Sequence, residues 1–170
     1  ADNDQNIIVR VTYDLAGRMT SLRNPNGALT AYAYDGLNRR TTLTNAISKT
    51  WTTTYELVIN GALRSARMTL TDPNTVETQR DSDLVGRLAT IQYGDPSDTP
   101  DVQFTYDKRG SRTKMSEYSG AGFTSKNRET TFGYDDVQRL SSVGFDNDGG
   151  GSVDQTVSYE YDAGGRRTKL

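Results

Sequence analysis

Large apolar or aromatic side chains recur two residues upstream of a series of tyrosines: Val11 before Tyr13, Tyr32 before Tyr34, Phe104 before Tyr106, Phe132 before Tyr134 and Tyr159 before Tyr161. A period of two puts both members of each pair on one face of a β-strand. Thr41-Thr42-Leu43-Thr44 and Trp51-Thr52-Thr53-Thr54-Tyr55 carry the same alternation in β-branched and aromatic residues. Met19, Arg40, Leu88, Leu140 and Arg167 follow the intervening polar segments and open the return strands. Further turn clusters lie between these units: Asn24-Pro25-Asn26-Gly27, Asn60-Gly61, Asp72-Pro73-Asn74, Gly94-Asp95-Pro96 and Asp148-Gly149-Gly150-Gly151. No stretch sustains an apolar period of 3.6. The pattern predicts an all-β chain of roughly a dozen or more strands, arranged as antiparallel hairpins.

The polar segment after each tyrosine is itself a repeat. Six copies of a Tyr-Asp-x-x-Gly-Arg variant occur, beginning at Tyr13, Tyr34, Ser82, Tyr106, Tyr134 and Tyr161. Their starts are 21, 48, 24, 28 and 27 residues apart. The long interval has room for a seventh unit, with Tyr55-Glu56 where its degenerate motif would fall. A short period of this kind signals an architecture in which each unit packs only against its neighbours.

The motif has the chemistry of a tight hairpin turn. Asp14, Asp35, Asp83, Asp107, Asp135 and Asp162 stand at its first position, where a carboxylate can accept a bond from the backbone two residues on. Gly17, Gly86, Gly110 and Gly165 stand where a type I turn with a bulge needs a left-handed residue. Asn38 replaces Gly in the second copy and tolerates that conformation. Gln138 in the fifth copy is not expected there. Arg18, Arg39, Arg87, Arg139 and Arg166 lie four residues after Asp, within reach of an ion pair across the turn. An exposed pair contributes only about 0–1 kcal/mol, so its repetition bears on geometry more than on stability. The fourth copy departs, with Ser111 at the Arg position and Arg112 beyond it.

Composition narrows the function classes. Among 170 residues, 20 are basic and 22 acidic, scattered without runs, which leaves no basic stripe for nucleic acid. No apolar run is long enough for a membrane span. The chain contains neither Cys nor His. That removes disulfides, thiol nucleophiles, His-based triads and most zinc, copper and non-haem iron sites. With 33% hydrophobic residues and ten Tyr, the expected core is a thin one between or inside curved sheets. The opening Ala1-Asp2-Asn3-Asp4 reads as a processed or internal segment rather than a signal peptide.

Tyr-Asp dipeptides followed by Gly-Arg at this period resemble the YD-repeat, or Rhs-repeat, family, from about Val9 to Arg167. That family occurs in Rhs toxins, toxin-complex shell subunits, bacterial wall-associated proteins and teneurins. The resemblance implies strands wound as a curved or spiral β-sheet, a partial shell or solenoid-like array. Shell members end in a self-cleaving motif built on Asp-Pro-x-Gly-Leu. Asp72-Pro73-Asn74 and Asp95-Pro96-Ser97 do not continue that way, so autoproteolysis is not expected.

Three groups of residues are candidate sites. The motif tyrosines could form a platform for sugars, but a repeat dictates packing before function. Trp51, the sole Trp, sits in a Thr-rich strand and is expected to pack. Asp146, Asp148 and Asp154 alternate with glycines in a loop that suits calcium, although Val157 stands where an EF-hand count wants Glu. The adjacent Asp135 and Asp136 point to opposite faces of a strand and do not converge for acid–base catalysis. The expectation is a single domain over residues 1–170, of about six to seven hairpin units, belonging to a longer array. Its expected role is a non-catalytic, cofactor-free scaffold of an extracellular, secreted or cell-surface bacterial shell, stalk or fibre. Its partners would be other YD repeats of the same or a neighbouring chain. The alternatives are a self-assembling filament subunit joined by terminal strand pairing, and a module that binds glycans or proteins.

Overall fold

The computed structural model describes residues 9–60, 63–95, 99–120 and 122–169. Among the described residues strands follow one another without a helix: β1 (Arg10–Tyr13), β2 (Met19–Arg23), β3 (Leu29–Tyr34), β4 (Arg40–Thr44) and β5 (Thr50–Asn60). Then come β6 (Leu63–Thr71), β7 (Glu77–Ser82), β8 (Leu88–Tyr93), β9 (Asp101–Tyr106) and β10 (Arg112–Ser119). The last are β11 (Ser125–Tyr134), β12 (Leu140–Asp146), β13 (Gln155–Ser158), β14 (Glu160–Tyr161) and β15 (Arg167–Lys169). Strands β1 to β13 form one sheet in sequence order, and β14 pairs with β15 in a second. The chain is therefore all-β, a long antiparallel meander of hairpins. Every return strand predicted at Met19, Arg40, Leu88, Leu140 and Arg167 begins at that residue.

Residue contacts group the chain into two compact units, 1–56 with 68–77 and 57–67 with 78–170. In the first unit Tyr32 faces Leu43 and Leu43 faces Trp51, an apolar row across β3, β4 and β5. In the second, Phe132 faces Val143 and Val143 faces Val157 across β11, β12 and β13. Such cross-strand pairs are the unit of sheet stabilisation. Apart from Val143, the residues of these rows stay half-exposed. Among the described residues Val143 is the one buried hydrophobic side chain. The thin core expected from composition is thus thinner still, and cross-strand contacts and hydrogen bonds carry the cohesion that a core would otherwise supply.

A bulge accompanies the turn motifs. The register slips at Tyr13, Tyr34, Ser82, Arg112, Tyr134 and Tyr161 or their immediate neighbours. One segment departs from expectation. Tyr55-Glu56 lies in the middle of β5 and forms no turn. The physical reason is local: Glu56-Leu57-Val58-Ile59 offers no Gly or Asn for a left-handed position and continues the β-branched run. Strand β5 instead runs on to Asn60, and of the turn expected at Asn60-Gly61, Gly61 lies outside the described residues.

Candidate functional site

The repeated turn is the first site to build. In all six motifs the fourth turn residue has positive φ: Gly17 at 78°, Asn38 at 64°, Gly86 at 85°, Gly110 at 94°, Gln138 at 68° and Gly165 at 80°. Its N–H donates to the Asp carbonyl at 2.9–3.2 Å, which closes the type I turn. The Asp carboxylate works on the same backbone. Oδ1 of Asp14, Asp35, Asp83, Asp107, Asp135 and Asp162 accepts the N–H four residues on at 2.8–3.0 Å. Oδ2 takes the guanidinium Nε of Arg18, Arg39, Arg87, Arg139 and Arg166 at 2.6–3.0 Å. Each carboxylate thereby satisfies donors that the turn would otherwise leave open.

These contacts hold the carboxyls of Asp14, Asp35, Asp83, Asp135 and Asp162 below the usual carboxylate range. For Asp14, Asp35, Asp135 and Asp162 the main cause is the backbone N–H of the motif Arg, helped by its guanidinium. At Asp83 partial burial pushes upward, but the bonds from Arg87 outweigh it.

The arginines then reach forward to the next unit. Arg18 lies over the Tyr34 ring at 5.0 Å, Arg87 over Tyr106 at 4.5 Å and Arg139 over Tyr161 at 4.4 Å. Each of those tyrosines returns a bond, its hydroxyl donating to the carbonyl after the motif Arg: Tyr34 to Met19, Tyr106 to Leu88 and Tyr161 to Leu140, at 2.8–2.9 Å. Arg18 also donates to the Asp35 carbonyl, and Arg87 to that of Asp107. The motif is therefore a link between consecutive hairpins as well as a turn. Tyr55 shows the two roles are separable. It has lost its turn, yet its ring lies 4.2 Å under Arg39 and its hydroxyl donates to the Arg40 carbonyl.

The turns at the other ends of the strands use the same device. Asn24, Asn45 and Asp72 each accept the N–H four residues on, and Gly27, Ser48 and Thr75 have positive φ. The turn at Asn45 to Lys49 was not anticipated from sequence. Its signal is an Asx residue three before the left-handed position, disguised by Ser48 where Gly would be expected.

The proposed calcium ligands do come together. Oxygens of Asp146, Asp148 and Asp154 lie within 4.8 Å of one another. Asp146, only 4% exposed, accepts the N–H groups of Gly149 and Gly151 at 2.8 Å and has Lys126 at 3.8 Å. Asp148 accepts from Gly150 and Asp154 from Asn147. Burial pushes the Asp146 carboxyl upward, but these glycine N–H donors win and hold it low. These carboxylates thus shape the loop, and they are the residues that could hold a cation. Asp135 is occupied by its turn and Arg139, so it does not join Asp136 in a catalytic pair.

A different feature breaks the repetition. In the first unit, Trp51, Leu43, Leu70, Thr53 and Arg40 line a hollow of about 300 Å³. A second, of about 420 Å³, shares Arg40, Thr53 and Leu70 and adds Tyr34, Tyr55 and Met68. Trp51 is thus packed beside Leu43 and also borders open space.

Residues 9–46 match the RHS Repeat family, a stretch that holds the turns Tyr13 to Arg18 and Tyr34 to Arg39. Over 97% of its length the chain superposes on 9% of a chain in the Photorhabdus luminescens Tc holotoxin pore containing a TccC3 variant, with a TM-score of 0.65 and 21% identity. A chain of the TcdB2-TccC3-Cdc42 crystal structure matches 91% of it with 10% of its own length, at a TM-score of 0.50 and 12% identity. At such identities the likeness establishes the fold. The chain spans about a tenth of the length of either match. Comparison with curated proteins found no match.

Proposed function

We propose that this chain is a non-catalytic scaffold: a segment of RHS-repeat wall from an extracellular or secreted bacterial shell, stalk or fibre. Residues 1–170 would be one repeat domain of six to seven hairpins within a longer array, in contact with further repeats. The observation that carries this reading is the link between hairpins, in which a motif Arg covers the next unit's Tyr and that Tyr bonds the carbonyl beyond the Arg. Such a link sets the spacing and tilt of successive hairpins and leaves its polar groups satisfied. The carboxyls of Asp14 and Asp135 are held low by structural partners, the opposite of a general acid poised near neutrality. Resemblance to a segment of the Tc structures supports the wall reading and, through it, a secreted destination.

Sedimentation velocity across a concentration series, with negative-stain imaging of the same samples, tests the assignment. A wall segment should remain a monomer up to high micromolar concentration. Long polymers that grow with concentration would replace this reading with that of a filament subunit.

A further inference from the structure

We propose that the Trp51 cleft of the first unit binds an extended peptide segment that presents a carboxylate two residues from a large apolar side chain. The cleft sits where the repeat has lost its turn motif, and beside the link tyrosines Tyr34 and Tyr55 it is lined by Trp51, Leu43, Thr53, Met68 and Leu70, which take no part in the hairpin link. Trp51, Tyr34, Tyr55, Met68 and Arg40 are residue types over-represented where proteins grip one another. Two rows on this face set the spacing. Tyr34 faces Arg40, and two residues earlier Tyr32 faces Leu43, which in turn faces Trp51. The backbones of the two rows are therefore about 7 Å apart along the strands, the separation of residues i and i+2 in an extended chain, and the Arg40 guanidinium leans from its row toward Tyr32.

Charge complementarity identifies the anion. Arg40 is exposed and makes no ion pair among the described residues, whereas the motif arginines beside it are all consumed by aspartates. Its recorded contact is with the Tyr32 ring at 6.0 Å. A guanidinium beside an aromatic and aliphatic floor fits a carboxylate carried on an apolar body. The same chemistry argues against a sugar. Hydroxyl recognition needs several polar readers that accept as well as donate, yet Tyr34 and Tyr55 already spend their hydroxyls on backbone carbonyls, leaving Thr53 beside the donor-only Arg40.

Trp51 makes the test direct, because it is the sole Trp and its emission reports on the cleft alone. The protein is titrated with the blocked peptide acetyl-Asp-Ala-Phe-Ala-amide and with its Asn counterpart. The expected result is a saturable change in Trp51 emission with the Asp peptide and at least tenfold weaker binding of the Asn peptide. Arg40→Gln should bring the Asp peptide to the same weak level, and Arg40→Lys should lie between. Far-UV circular dichroism checks the folding of both variants, and the peptide pair tests the proposal on the unaltered chain. Equal binding of the two peptides, or no saturation on folded protein, overturns it. So does saturation by a glucuronate oligosaccharide or by phenylacetate with none by the peptide. The outcome is read separately from the sedimentation test, since peptide binding is followed by Trp51 emission and assembly by sedimentation.

Discussion

Two junctions of the second unit perform one task with different residues. Between β7–β8 and β9–β10, Arg87 binds Asp83 at 2.6 Å, reaches the Asp107 carbonyl at 3.1 Å and covers Tyr106. Between β9–β10 and β11–β12 that cation is gone. Ser111 instead donates to Gln138 at 2.7 Å, Arg109 reaches the Asp136 carbonyl at 3.3 Å, and Arg112 covers Phe132 at 4.7 Å. The tyrosine bond is the same in both, Tyr106 to Leu88 at 2.8 Å and Tyr134 to Arg112 at 2.9 Å. So are the Asp-to-backbone bonds of the turns. What persists are the contacts that satisfy backbone groups, which only a side chain of fixed reach can make. The cation adds strength and can be exchanged.

The widest disturbance of both junctions is acid. Asp83 and Asp135, with Asp14, Asp35 and Asp162, have carboxyls lowered in the folded chain. Glu129 is lowered too, chiefly by the bond from Lys114. A lowered folded value means stability that is fully present above the unfolded carboxylate range and is lost as pH falls through the folded values. Thermal melts followed by circular dichroism should therefore be flat above about pH 5 and drop steeply below about pH 4. Stability that increased on acidification would refute the assigned role of these carboxylates.

Backbone conformation comes next. Gly86 has φ of 85° and open space around an added Cβ, so Gly86→Val carries a purely conformational cost. A β-branched residue there should lose about 2 kcal/mol in urea denaturation. Gln138 already occupies the equivalent position at 68°. Gln138→Gly should be near neutral, because relief of strain is offset by loss of the Ser111 bond. A large loss in both variants would mean that the left-handed position is not what distinguishes them.

Arg87→Met removes an ion pair, a ring contact and a carbonyl bond together, and should cost about 1–2 kcal/mol. Arg166→Met should cost much less, since the Arg166 side chain is 86% exposed and its one recorded contact is with Asp162. Equal losses would show that the forward reach of Arg87 contributes nothing. Tyr106→Phe and Tyr134→Phe delete the same hydroxyl bond from the two junctions and should each lose about 1 kcal/mol. A clear difference between them would place the value of the bond in the Arg rather than the carbonyl.

Much of this was legible in the sequence, for a reason particular residues make plain. Asp and Gly at fixed offsets act locally, so Met19, Arg40 and Leu140 could be placed as strand starts without knowledge of any tertiary contact. Tyr55-Glu56 misled because the tyrosine had two roles, and sequence displays only the turn. Its retained role depends on Arg39 and Arg40, a strand away. The Trp51 cleft was unreadable for the same reason. Arg40, Leu43 and Leu70 meet Trp51 only once β4, β5 and β6 are side by side. The three loop aspartates were legible as a group, but their glycine N–H partners were not.

Ser111 and Gln138 looked like two independent departures from the motif, and the structure makes them one. In the first pair of turns Arg18 donates to Asn38 at 2.9 Å, from the Arg position to the fourth residue of the next turn. Ser111 to Gln138 joins the same two positions. A Ser is too short to reach a Gly, which has no side chain, so Gln138 supplies the missing length and accepts a left-handed backbone to do so. A double-mutant cycle measures the coupling. Ser111→Ala and Gln138→Ala should each cost about 0.5–1 kcal/mol, and the double variant less than their sum by about 0.5 kcal/mol. Strict additivity would mean that the two departures arose separately. In that case the substitution Ser111→Arg should stabilise the chain whether residue 138 is Gln or Gly, whereas coupling requires the gain to depend on which is present.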